Sequence, residues 1–322
     1  MNSKVYNWGI LGAGHISEKF VAGLKTLENA SCYAVAARDL NKAENFATQN
    51  GIQKAYGSYK EMLADDNVDV VYVGTINTLH FEHVMMCLEA GKHVLCEKPF
   101  ASNYEQVILM TDKAKEKGLF LMEALWSRFL PSVNKFKNIL ESGKVGEPAL
   151  LRADFGFKAE YKETSRLFDP KQGGGSVPDI GIYPLFLSLF LFGYPTEIKV
   201  LSEQAPTGVD MTTAVILKHR NGVISQLTST FACNLDTEAT IYGTNGKCTL
   251  KRMFHMPTDL EIVTPENKSC ESFEIKCNGY EFEAEEVMHC LDNGLIESPK
   301  LTHDFSKKLI KLIDEVLEKC KL

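Results

Sequence analysis

Val5-Tyr6-Asn7-Trp8-Gly9-Ile10-Leu11 runs directly into Gly12-Ala13-Gly14-His15-Ile16-Ser17, and the fold turns on this stretch. The apolar run predicts a buried strand, the glycines a tight turn, and His15 the start of an amphipathic helix reaching about Leu27. Gly12 permits the turn, and Gly14 lets the backbone approach a phosphate with no Cβ in the way. The helix start at His15 and Ile16 offers free N–H groups and the positive end of the helix dipole to an anion. Ser17 stands where a third glycine is usual, which predicts that the helix sits slightly further from the strand. An ordinary β–α turn shares this pattern, and only the chain beyond it separates the two readings.

Beyond this helix, strands and helices alternate. Strands are expected at Cys32–Ala37, Val68–Val73, His93–Cys96 and Leu119–Met122. Helices are expected between them at about 41–50, 58–64, 79–89 and 104–117. The strands are near-continuous apolar and β-branched runs, as strands covered on both faces should be. Short connections then imply a doubly wound parallel sheet, an α/β domain over residues 1–125. Beyond about residue 145 the rhythm changes to β-rich runs at 150–157, 197–203, 212–218, 223–231, 237–242, 247–251 and 260–264. Helices intervene at about 177–192, 281–293 and 305–319. A second, α+β domain with a large, mostly antiparallel, open-faced sheet is expected over residues 126–322. Its uncovered face would suit a homodimer.

A chain of 322 residues with 44% hydrophobic and 24% charged residues suits two globular domains. The net charge of −7 argues against nucleic acid and against an anionic membrane surface as partners. No signal-peptide layout opens the chain. The longest apolar run, Ile180 to Phe192, contains Pro184 and is too short to span a bilayer, so it reads as a buried helix. Nine cysteines without zinc-ligand spacing fit reduced thiols in a cytoplasm.

Ligands of such sheets bind at the carboxyl ends of the strands. The second strand ends at Arg38-Asp39, where an arginine pairs with the 2′-phosphate of NADP and an acidic residue accepts from ribose hydroxyls. Asp39 is equally placed to cap the next helix. Thr75 and Asn77 should face the same crevice as Gly12, and His80 either touches the cofactor or starts the next helix. His80 and His83 have no third ligand beside them, so no metal is expected. Cys96-Glu97-Lys98-Pro99-Phe100 closes the next strand, and a lysine there, followed by a backbone-restricting proline, is a candidate for chemistry.

The turn at Gly12, Gly14 and Ile16, the Glu97-Lys98-Pro99 tripeptide and Asp179-Ile180-Gly181-Ile182-Tyr183 together resemble the Gfo/Idh/MocA family of NAD(P)-dependent oxidoreductases over essentially the whole length. Met122-Glu123-Ala124-Leu125-Trp126-Ser127-Arg128-Phe129 and Tyr56-Gly57-Ser58-Tyr59 look most like its branch of dimeric dihydrodiol dehydrogenases and D-xylose 1-dehydrogenases. The resemblance implies that Lys98 is the catalytic lysine, near the reacting carbon and the nicotinamide ribose. It implies cofactor contacts from Gly12, Gly14, His15, Ile16, Thr75, Asn77, His80 and Glu97, a substrate-orienting role for Asp179, and proton transfer by Tyr183. Many sugar dehydrogenases of the family carry histidine at the position of Tyr183, a departure that points away from inositol dehydrogenases.

The side-chain chemistry agrees. On a helix, Asp179 and Tyr183 share one face, and Gly173-Gly174-Gly175 before them would allow a ligand close to the backbone. Oxidising a secondary alcohol needs a group to take the hydroxyl proton, and a lysine ammonium favours a tyrosine phenolate. Trp126, Arg128 and Phe155 are candidates for the wall of a pocket for a diol ring or a sugar. The expected activity is NADP-dependent hydride transfer (NAD being possible) to or from a cyclic diol or aldose. Another sugar derivative as substrate, or an NADP(H)-binding sensor without turnover, are the alternatives.

Overall fold

The computed structural model of the protein describes residues 4–321. They form two compact units: the chain through Trp126 together with Ile275–Lys307, and Ser127–Glu274 together with the segment from Lys308 onward. Residues 275–307, which by position belong with the second domain, thus pack within the first. Among the contacts that hold them there, His303 Nε2 lies 2.8 Å from the Leu121 carbonyl, and the Ser306 hydroxyl donates to Glu123 at 2.7 Å. No local pattern in the sequence announces such a return.

In the first unit β1 (Tyr6–Leu11), α1 (His15–Leu24), β2 (Ala30–Ala36), α2 (Leu40–Asn50), β3 (Lys54–Tyr56), α3 (Tyr59–Leu63) and β4 (Val70–Val73) succeed one another. The series continues with α4 (His80–Glu89), β5 (His93–Glu97), α5 (Tyr104–Lys117) and β6 (Leu121–Ala124). The sheet is wholly parallel in the order β3-β2-β1-β4-β5-β6. Connections reverse direction between β1 and β4, which makes the ends of those strands the switch point where such sheets take ligands. β4 is buried throughout, as a doubly covered strand should be. The helices stop and start where local chemistry demands. Asp39 caps α2 through the Asn41 N–H, and Gly51 ends it in the left-handed region at φ 57°.

The second unit carries α6 (Pro131–Glu141), β7 (Pro148–Gly156), α7 (Ile182–Phe192), β8 (Glu197–Gln204), β9 (Asp210–Lys218) and β10 (Ile224–Thr230). It adds β11 (Ala239–Gly243), β12 (Gly246–Leu250), β13 (Leu260–Val263) and β14 (Lys268–Glu271). The eight-stranded sheet has the order β14-β13-β12-β11-β7-β10-β9-β8 and is antiparallel except where β7 pairs with β10. α7 packs on β7 and β10, and α6 on β12. On the other face Lys199, Leu201, Ala214, Ile216 and Gln226 share one side by register, with Leu201 81% exposed. The segment Pro170–Phe192 is apolar and long enough by composition to cross a bilayer, yet 72% of its apolar window is buried inside the fold, as in a core helix. The described residues also form the α-helices α8 (Glu281–Asp292) in the first unit and α9 (His303–Lys319), whose first turn belongs to the first unit and the rest to the second.

Candidate active-site elements of the two units

Gly12 adopts φ +105°, and a Cβ there would lie 3.0 Å from both the Gly74 carbonyl oxygen and Thr75 Cγ2. The turns after β1 and β4 therefore touch, which brings Thr75 beside Gly12 as expected. Gly14 is the N-cap of α1 with no side chain capping the helix, and the space where its Cβ would stand is open for 4 Å. A helix start with no side-chain cap and open space beside Gly14 fits a pyrophosphate. Ile16 is half-buried beside this turn, while the His15 side chain is exposed and within 3.5 Å of Glu18. Ser17 is fully buried, and its hydroxyl donates to the Gly12 carbonyl at 2.6 Å. Room for it comes from Gly74, where a Cβ would stand 2.5 Å from Ser17 Oγ.

Arg38 is exposed at the tip of β2, and its charge acts on Tyr59 and His83. Asp39 takes the helix-capping alternative. Asn77 opens a short 3₁₀ turn, Asn77–Leu79, that leads into α4. His80 starts α4 and is buried, with Nδ1 2.8 Å from the Pro99 carbonyl and Nε2 3.1 Å from that of Thr75. Burial pushes its pKa down to about 4, against the pull of the two carbonyls. A neutral ring donates from one nitrogen, so His80 bonds one of these two carbonyls, that of Thr75 or that of Pro99, at a time. His83 Nδ1 lies 2.9 Å from the Thr75 hydroxyl, and its ring meets Tyr59 edge-on.

Lys98 is half-buried at the end of β5, with a cis bond to Pro99. Glu97, expected at the cofactor, is buried: it accepts the Tyr72 hydroxyl at 2.6 Å and the Lys98 N–H at 3.2 Å. Burial raises its pKa, with the Tyr72 bond and the Lys98 charge opposing. Glu123 lies beneath the same turn. Burial pushes its pKa up to about 7, while Ser306, the Phe100 N–H and the Lys98 charge pull it down. Glu283 of α8 is fully buried, neither of its oxygens has a hydrogen-bond partner, and burial together with the Glu97 charge raises its pKa well above the carboxylate range. Sequence reasoning missed Glu123 and Glu283 because buried glutamates look like surface ones. Trp126 stacks on Tyr280 at a centroid distance of 4.4 Å.

In the second unit the segment before α7 is not simply α-helical. Val177–Gly181 forms a π-helical turn, a wide turn that recurs at functional sites. Pro184 has no N–H to donate to the carbonyl of Ile180 four residues earlier, which helps break the α pattern. Asp179 and Tyr183 are thus carried by a wider turn than the expected α-helical spacing. Asp179 is 15% exposed and accepts from Arg166 at 3.0 Å. Tyr183 is 6% exposed among rings: His255 at 4.8 Å and Phe155 at 5.9 Å, these two stacked on each other at 4.2 Å. Phe155 therefore adjoins Tyr183. Arg128 is used elsewhere, donating to Asn134 at 2.7 Å and lying 4.4 Å over the Phe190 ring. His255 carries no sequence signal; it sits in a loop with Met253 at φ 63°, its carbonyl accepting the Ser127 hydroxyl at 2.6 Å.

Gly174 and Gly175, ahead of this segment, do not make room for a ligand, contrary to expectation. A Cβ on Gly174 would lie 2.8 Å from the Leu167 carbonyl oxygen, and one on Gly175 only 2.3 Å from Asp210 Oδ1. The close approach they allow is by the protein itself.

Residues 6–125 match the model of the "Oxidoreductase family, NAD-binding Rossmann fold", and residues 133–249 that of the "GFO/IDH/MocA C-terminal domain". The chain is 39% identical over 321 residues to trans-1,2-dihydrobenzene-1,2-diol dehydrogenase of Macaca fascicularis, covering 96% of this chain and 95% of that protein. To the protein of the same name from Homo sapiens it is 38% identical over 320 residues, with 96% and 95% covered. Among solved structures it is similar to aldose-aldose oxidoreductase from Caulobacter crescentus complexed with glycerol, with a TM-score of 0.90 at 21% identity, covering 99% and 98%. It is likewise similar to a 3-ketoreductase from Actinomadura kijaniata in complex with TDP-benzene and NADP, with a TM-score of 0.85 at 23% identity and 97% of each chain covered. At those identities the two structures speak for the fold.

Proposed function

The chain belongs to the Gfo/Idh/MocA family of NAD(P)-dependent oxidoreductases, and within that family we propose that it is an NADP-dependent dehydrogenase of a cyclic vicinal diol or an aldose, with a trans-dihydrodiol the preferred substrate. The observation that carries this is the half-ring of aromatic side chains, Phe155 and His255, against the buried Tyr183, with Asp179 one turn earlier on the same segment. Flat apolar walls beside a phenol suit a flat ring bearing hydroxyls. The relatives named for trans-1,2-dihydrobenzene-1,2-diol support the same choice.

In this proposal Tyr183 takes the proton of the reacting hydroxyl, and Lys98 favours the phenolate and steadies charge on the oxygen. Asp179 accepts from the neighbouring hydroxyl, displacing or sharing Arg166. NADP, when bound, accepts the hydride that leaves the carbinol carbon, and reverse transfer reduces the ketone. The uncapped start of α1 at Gly14 holds the pyrophosphate, and Arg38 pairs with the 2′-phosphate. A second copy of the chain is proposed to cover the exposed sheet face around Leu201 and Ile216, and the nine free cysteines suit a reducing compartment such as the cytoplasm.

Initial rates of NADP and NAD reduction at mildly alkaline pH, across trans-dihydrodiols, D-xylose and other aldoses, test the function. An NADP-linked signal strongest with a dihydrodiol is expected. Tight NADPH binding with no turnover of any substrate would replace the dehydrogenase with a sensor.

A further inference from the structure

Asp210, at the head of β9, is 5% exposed and has no part in the chemistry proposed for Lys98, Asp179 and Tyr183. Its Oδ2 accepts the Ser176 hydroxyl at 2.6 Å, the Val177 N–H at 2.7 Å and the Thr213 hydroxyl at 3.3 Å. Ser176 Oγ is in turn 2.9 Å from the hydroxyl of Ser229 on β10. The same Ser229 meets the far end of the turn, where a Cβ on Gly181 would come within 2.9 Å of its Oγ. Gly175, at φ +123°, exists in this form because any side chain would strike the Asp210 carboxylate. Two adjacent strands therefore bond one end of the π turn Val177–Gly181 and pack closely on the other, with Asp179 at its middle and Tyr183 just beyond.

We propose that Asp210 is the positioning residue of Asp179 and Tyr183, its carboxylate locking the π turn that aims both side chains; the inference rests on the roles proposed for those two residues. The three donors converge on one oxygen, and an ionised carboxylate is a stronger acceptor for them than the neutral amide oxygen that would replace it in asparagine. Keeping that charge buried is costly, and burial pushes Asp210 up to about 6 against the pull of Ser176, Val177 and Thr213. The titratable neighbour is the Cys320 thiol, 3.8 Å from the Thr213 hydroxyl and raised by burial and by the Asp210 charge. As pH falls through about 6, Asp210 gains a proton, its bonds to Ser176 and Val177 lose their charge assistance, and the turn loosens.

The test compares wild type, Asp210→Asn and Ser176→Ala as full-length protein. Readouts are kcat, KM, the pH profile of kcat, NADPH affinity, and the ¹³Cζ-tyrosine resonance of Tyr183, assigned with Tyr183→Phe. Asp210→Asn should keep NADPH affinity, lose kcat by about ten- to a hundredfold, and lose the acid limb near pH 6 expected of wild type. Its Tyr183 resonance should move. Ser176→Ala removes one donor, so its acid limb should shift to higher pH with a smaller loss of kcat. Wild-type kcat and an unmoved Tyr183 resonance in Asp210→Asn would overturn the proposal; should that variant not fold, an unmoved acid limb in Ser176→Ala would do so. If wild type turns over none of the substrates, the dehydrogenase reading fails by itself. The titration of the Tyr183 resonance near pH 6, present in wild type and absent in Asp210→Asn, then decides the role of Asp210 alone.

Discussion

The Glu123 carboxylate accepts the backbone N–H of Phe100 at 3.1 Å, two residues past Lys98, while its other oxygen accepts Ser306 at 2.7 Å. A buried acid thus clamps the turn that carries the lysine. Its pKa, raised to about 7 when folded, means the native state holds the proton more tightly than the unfolded chain. The stability tied to this proton is complete below about pH 4 and is lost as pH rises through about 7. Glu123→Gln should therefore gain on wild type by roughly 2–3 kcal/mol between pH 5 and pH 8. Thermal unfolding at the two pH values checks this; a constant gap between variant and wild type would show that Glu123 does not titrate there.

Lys98→Met should lower kcat by at least about a hundredfold while NADP(H) affinity stays within a few-fold. Cofactor binding by fluorescence and single-turnover rates separate the two effects. Near-normal turnover would remove Lys98 from the chemistry.

Arg38→Ala should weaken NADP binding by roughly ten- to a hundredfold, the loss of a charge-assisted pair, and leave NAD almost untouched. Titration with both cofactors measures the ratio. An unchanged preference would leave the exposed guanidinium at the end of β2 without a role in selecting the 2′-phosphate.

Gly74→Ala places a Cβ 2.5 Å from Ser17 Oγ and 2.8 Å from Tyr72 Cε1, so it should cost about 1–3 kcal/mol and weaken cofactor binding. Adding Ser17→Gly relieves the first clash only. The double variant should recover part of the loss, a coupling that thermal melts of both single variants and the pair would expose. Strict additivity would mean that Ser17 and Gly74 do not share one space.

The places of several candidate residues were legible because they are local. Gly12, Gly14, Lys98 and Tyr183 stand at ends of strands or helices whose periodicity gives them away. Arg128 looked equally promising in sequence but is held by Asn134 and Phe190. Gly173–Gly175 looked like a ligand cradle, whereas the space beside two of them is filled by Leu167 and Asp210. A glycine shows that something comes close; the chain alone does not say what.

Local sequence was enough to specify the parallel α/β domain, the second sheet, and the side chains placed at strand ends, because alternation and turn chemistry act within a few residues. Long-range packing was needed to return residues 275–307 to the first unit, to clamp the turn after Lys98 with Glu123, to lay His255 against Tyr183, and to set Asp210 on the π turn. Each of these joins residues far apart in the chain. They exist only because burial brings distant segments together, and a buried polar group must then find its partner wherever the fold has put one.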